Sequence, residues 1–189
     1  MQDDFRWVLK EQTAADHDAV DDLLSALDVS SADGLEGFLG VHRACFAAML
    51  PIAVPGDSSM QAMTGMIACI ERDLATLGAP CDVSSAVTVG PVDVLACDYV
   101  LEGSRLGSKV LRRRWEASED PRVRAADAYF SITPVSGRWR EVCDALSAVA
   151  PDSPRAAHII RDTKSLFALF ENVAKDWLPG QGQYRKVSI

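Results

Sequence analysis

Apolar positions along the chain recur at three- and four-residue steps, the spacing that puts side chains on one face of an α-helix. Phe5, Val8, Leu9, Val20, Leu23, Leu24 and Leu27 mark a first helix, which gives way to Asp28-Val29-Ser30-Ser31-Ala32-Asp33-Gly34, a composition that turns and caps. Leu35, Phe38, Leu39, Val41, Phe46, Met49 and Leu50 mark a second, interrupted by Pro51, Pro55 and Gly56. A third runs from about Ser59 to Leu77 with Met63, Met66, Ile67 and Ile70. Gly78 to Gly90 mixes valines with Pro80, serines and Asp82 and reads as an irregular connection. Pro91 occupies a typical first-turn position, from which a long helix is expected to run to Trp115. Asp120-Pro121 and Ser153-Pro154 each pair a capping side chain with a proline suited to the first helical residue, giving two more helix starts. Ser131 to Gly137 is expected to be a loop, followed by a helix from Arg138 to Val149. The last helix carries Ile159, Ile160, Leu166, Phe167, Phe170, Val173 and Trp177. The pattern predicts an all-α single domain of seven or eight helices over residues 1–178, with a flexible tail at 179–189 that has little to bury.

A length of 189 residues with 48% hydrophobic content suits one sizeable core. The formal net charge of −8 argues against a nucleic-acid or anionic-membrane partner, since both demand a basic surface. An anionic ligand would have to be held by local positive charge. The five cysteines, Cys45, Cys69, Cys81, Cys97 and Cys143, are scattered without CxxC spacing, and Met1-Gln2-Asp3-Asp4 opens acidic rather than as an apolar signal. A reduced, cytoplasmic protein is expected, with the cysteines as packing residues. The apolar runs are broken by Asp, Arg or Pro, so no segment is expected to span a bilayer.

The long helix contains Tyr99-Val100-Leu101-Glu102-Gly103-Ser104-Arg105-Leu106-Gly107-Ser108. Each glycine inside a helix costs roughly 1 kcal/mol against alanine, so two on one face imply that something approaches the backbone closely. That something is either a flat ligand or another helix. The first helix aligns Lys10, Thr13, His17 and Asp21. On a continuous helix, residues seven apart project within about 20° of each other, roughly 10 Å apart along the axis. Lys10 and His17 would then suit a ligand with a metal at one end and an acid at the other, and haem is such a ligand. Asp21, one turn after His17, is placed either to accept the second imidazole N–H or simply to be solvated. His42 and His158 have no comparable neighbours and are read as ordinary surface or packing residues. Arg112-Arg113-Arg114 reads as a solvated face pairing with nearby carboxylates, and Trp115, Trp139 and Trp177 as core or pocket wall.

Leu9-Lys10-Glu11-Gln12-Thr13-Ala14-Ala15-Asp16-His17 resembles the proximal-helix motif of haem oxygenases, and Tyr99 to Gly107 resembles their distal-helix motif in the form associated with bacteriophytochromes. The resemblance covers most of the chain and implies a haem oxygenase-like helical fold with haem between the first helix and a kinked distal helix. It implies His17 as the axial iron ligand, Gly103 and Gly107 as backbone lying against the haem face, and Lys10 facing a propionate. Arg140 would do the same if Trp139-Arg140 match the family's aromatic-Arg pair. Tyr99 would join the polar network beside the pocket. Ser104 stands where many members carry an aspartate, and Ser108 where a glycine usually follows the second distal glycine.

The implied activity is oxidative opening of haem, cofactor and substrate at once, to biliverdin, ferrous iron and carbon monoxide. It would use O2 and an external electron donor such as a ferredoxin or a reductase, with a bacteriophytochrome as a potential recipient of the product. A wall of glycine backbone and ordered water, lacking the charged distal groups of peroxidases, favours attack on a meso carbon. The competing reading is a non-catalytic haem carrier or sensor in which Ser104 and Ser108 mark lost chemistry. A third keeps the helices and discards haem, but leaves the register of His17 with Lys10 without a reason.

Overall fold

The computed structural model describes residues 4–53, 57–79, 89–133 and 135–177. Among these the regular structure is entirely helical: α1 (Phe5–Gln12), α2 (Ala14–Ser25), α3 (Ala32–Met49), α4 (Ser58–Leu77), α5 (Val94–Glu116), α6 (Pro121–Ala125), α7 (Arg138–Ser147) and α8 (Pro154–Trp177), with a 3-10 turn at Leu50–Ile52. Cys81, most of the connection expected at Gly78–Gly90 and the tail expected from residue 179 lie outside the described residues.

Most helices begin where a side chain caps them. Asp57, Asp93 and Asp120 accept the backbone N–H groups of Met60, Leu95 and Arg122, and Ser31 accepts that of Gly34. The Asp93 cap starts α5 at Val94, so Pro91 lies before the helix instead of in its first turn. Asp93 is itself fixed from α8, its N–H donating to Asp162 Oδ2 at 2.8 Å and its carboxylate accepting from Arg155 Nε at 3.0 Å.

The expected first helix is two. At Thr13 the backbone leaves helical geometry (φ −114°, ψ 5°), and both the backbone N–H and the hydroxyl of this buried residue donate to the Leu9 carbonyl, at 3.1 and 2.8 Å. A hydroxyl bonded back onto its own helix competes with the regular ladder and bends it. Lys10 and His17 therefore sit on separate helices, and the straight two-turn spacing between them does not hold.

α3 is buried along nearly its whole length, between α4 and α8. Its mean hydropathy reaches 1.2 over Ala32–Ile52, so by length and composition this stretch is apolar enough to cross a membrane, contrary to expectation. In this fold 61% of that window is buried inside the protein. Gly40 lets α8 close over it, because a Cβ there would stand 2.3 Å from the Trp177 indole. α8 also packs on α1, α2 and α5. The centre is aromatic: Phe38, Phe46, Tyr129 and Phe170 gather around His42, Phe130 stacks on Phe38, and Trp115 packs on Phe130 while its indole N–H donates to the Val123 carbonyl at 2.8 Å.

Candidate functional site

α2 and α5 both lean on α8, and a cavity of about 570 Å³ opens between them. That volume lies within the roughly 300–1,000 Å³ usual for small-molecule and cofactor sites. Lys10, His17 and Asp21 line it from α1 and α2, and Gly103, Ser104, Gly107 and Ser108 from α5. Phe38, His42, Phe167 and Phe170 line it from α3 and α8. Tyr99 and Trp139, with ring centroids 5.6 Å apart, line it from α5 and α7.

The glycine face decides between the two readings of the pair. A Cβ built on Gly103 or Gly107 meets nothing within 4 Å. No neighbouring helix requires these glycines; they leave bare backbone on an open cavity. α5 runs unbroken through them, without the kink that the resemblance implies showing as an interruption, and both have negative φ. Ser104 Oγ donates to the Leu101 carbonyl at 2.8 Å and Ser108 Oγ to the Ser104 carbonyl at 3.0 Å, so these hydroxyls rest on their own helix.

Facing this wall, the His17 side chain is 52% exposed and meets the edge of Phe167 at 5.6 Å. Its Nδ1 stands 3.6 Å from an oxygen of Asp21 and equally far from one of Asp18. This is beyond a direct hydrogen bond and close enough for one side-chain adjustment or a bridging water. The carboxylates favour a proton on Nδ1, which leaves the Nε2 lone pair for a ligand.

Two expected site residues are not on the cavity wall. Thr13 is buried behind it as the joint between α1 and α2, its hydroxyl spent on the Leu9 carbonyl. Burial, together with nearby Cys143, raises the Tyr99 phenol above its ordinary pKa. Arg140 points to solvent. Arg138 fixes the rotation of α7 by donating to Asp98 at 2.8 Å, and the helix then turns Trp139 and Cys143 inward.

The structure adds residues that sequence reasoning passed over. Arg6 and Trp7 line the cavity next to Lys10, with the Arg6 guanidinium 4.3 Å over the indole. Trp7, Leu106 and Val110 are exposed large apolar residues on the same lining. His42 is fully buried, and burial drives its pKa down to about 4 despite a hydrogen bond to the Phe38 carbonyl. An imidazole one turn from Phe38 and one from Phe46 on an apolar face was the available signal. Of the remaining histidine and arginine expectations, His158 is exposed, Arg112 pairs with Glu116 at 2.8 Å, and Arg114 reaches the Ser25 carbonyl at 3.5 Å. Cys45, Cys69, Cys97 and Cys143 are free thiols.

Among the described residues no group of three or more His, Cys, Asp and Glu could hold a bare metal ion. A metal at His17 would have to bring its other ligands with it, as iron does inside a porphyrin. No family model, curated protein or solved structure matches the chain.

Proposed function

We propose that this protein is a haem oxygenase, binding haem in the cavity between α2 and α5 and opening the ring to biliverdin, ferrous iron and carbon monoxide. The observation that carries this reading is the pairing of a half-exposed, carboxylate-flanked imidazole, His17, on one wall with a bare glycine backbone on the other. Bound haem would supply the oxygen-activating iron and the ring carbon that is oxidised, with O2 and electrons from an external donor such as a ferredoxin or a reductase.

The chain's own residues would position and shield. His17 would hold the iron through Nε2, Asp21 would steady its tautomer from the Nδ1 side, and Phe167 packs edge-on against the imidazole. Lys10, with Arg6 and Trp7 beside it, supplies local positive charge in an otherwise acidic protein for a propionate edge. Phe38 and Phe170 close the inner wall against water. Gly103 and Gly107 give access to the opposite face, and no residue lining the cavity from α5 carries a charge.

Titration with haem tests the reading. A Soret band should appear at one equivalent in the wild type, and haem with a reductant and O2 should convert that band to a biliverdin spectrum. His17→Ala should lose the histidine-ligated spectrum and regain it with added imidazole. An unchanged spectrum in His17→Ala sinks the axial assignment, and a stable Soret band under reductant favours the carrier or sensor reading.

A further inference from the structure

We propose that Ser108 and Tyr129 form a two-hydroxyl relay that passes a proton through the wall of α5, from a second, smaller pocket into the main cavity. The inference rests on the haem oxygenase reading above, which requires protons to reach a site walled by glycine backbone. Ser108 lines the main cavity and also a pocket of about 110 Å³ on another side of α5. Tyr129 lines that second pocket, and its hydroxyl lies 3.1 Å from Ser108 Oγ. Ser108 already donates to the Ser104 carbonyl at 3.0 Å, so at rest the phenol donates to Ser108.

The relay follows from rotating one hydroxyl. When Ser108 Oγ–H swings from the Ser104 carbonyl toward the main cavity, it can give its proton to an acceptor there. Ser108 takes the phenol proton in turn, and Tyr129 takes one from water in the smaller pocket. One proton enters and one leaves; nothing is oxidised or reduced.

The groups around Tyr129 suit that passage. Arg105, from α5, lines the smaller pocket and is held by Glu102 at 2.9 Å. Its positive charge favours a transient phenolate, while burial pushes the resting phenol up to about 12 and keeps its proton in place. Lys109 and Arg112 line the same pocket from α5. From α4, Asp73 accepts the Tyr129 backbone N–H at 2.8 Å, which fixes the residue without engaging the phenol. From α3, the His42 ring lies 5.9 Å from the Tyr129 ring and is neutral above about pH 4.

The test uses Ser108→Ala, Tyr129→Phe and the double variant of the haem-loaded protein, each checked for an unchanged fold by melting. The acid–alkaline midpoint of the ferric Soret spectrum should move by about half a pH unit or more in each single variant, and by no more in the double, as for one connected chain of hydrogen bonds. Turnover should fall by roughly tenfold in each single variant, again with no further loss in the double. Midpoints and rates that match the wild type, or losses that add in the double, overturn the relay while leaving haem binding intact. A drop in melting temperature with an unmoved midpoint identifies the pair as structural only. A wild type without a Soret band overturns the haem reading and the relay with it.

Discussion

His42 Nδ1 lies 2.9 Å from the carbonyl oxygen of Phe38, one turn earlier on α3, so the proton of the neutral imidazole sits on Nδ1. The ring is buried among Phe38, Phe46, Tyr129 and Phe170. Its folded pKa of about 4 stands below the ordinary 6.5 because burial penalises the charged form. A group whose folded pKa is depressed contributes stability that is present above the unfolded pKa and lost as pH falls through the folded one. His42 should therefore remove on the order of 3 kcal/mol of stability between about pH 6.5 and 4. Denaturant unfolding across that window, compared with His42→Phe, checks it; a variant that loses as much stability as the wild type would show that another group drives the acid limb.

Gly107→Ala separates the ligand reading of the glycine face from a purely structural one. The new methyl meets no atom of a neighbouring element within 4 Å. Helix propensity alone should raise apo stability by up to about 1 kcal/mol. With haem bound, the methyl would stand against its face, and affinity or turnover should drop while the melting temperature of the apo-protein rises. Unfolding of the apo variant would contradict an open face at Gly107.

Gly40→Ala makes the opposite forecast at another helical glycine. There the added Cβ would fall 2.3 Å from the Trp177 ring, and the end of α8 must give way. A loss of about 1–3 kcal/mol is expected, as for other overpacked contacts. Urea denaturation measures it, and a neutral result would mean that Trp177 repacks at no cost.

Features determined by neighbouring residues were legible in the sequence. Asp120-Pro121 and Ser153-Pro154 set helix starts because the cap and the proline act within one turn. The helical periodicity of Leu35 to Met49 placed α3 for the same reason. Thr13 was not legible as a break: no glycine or proline marks it, and the bend comes from a hydroxyl folding onto a carbonyl under buried packing. Nor was the rotation of α7. It depends on Arg138 meeting Asp98 across 40 residues of sequence, and that contact turned Trp139 inward and Arg140 out. The candidate site was legible in its motifs, since Lys10, His17, Asp21, Gly103 and Gly107 all reach one cavity. Its inner wall was not, because Phe38, His42 and Phe170 look like plain core until the helices are assembled.

The position of α8 has a consequence for how the molecule folds. Phe167 packs on His17 although most of the chain lies between them, and Trp177 covers Gly40 on α3. Contacts of such long sequence separation are slow to form, because the entropy of closing the intervening chain is lost before the contact rewards it. Until α8 docks, α3 exposes a surface as apolar as a membrane span, and the imidazole of His17 has no ring beside it. The same docking step that gives the imidazole its aromatic neighbour also covers this apolar segment, the kind of surface that invites association while it is exposed.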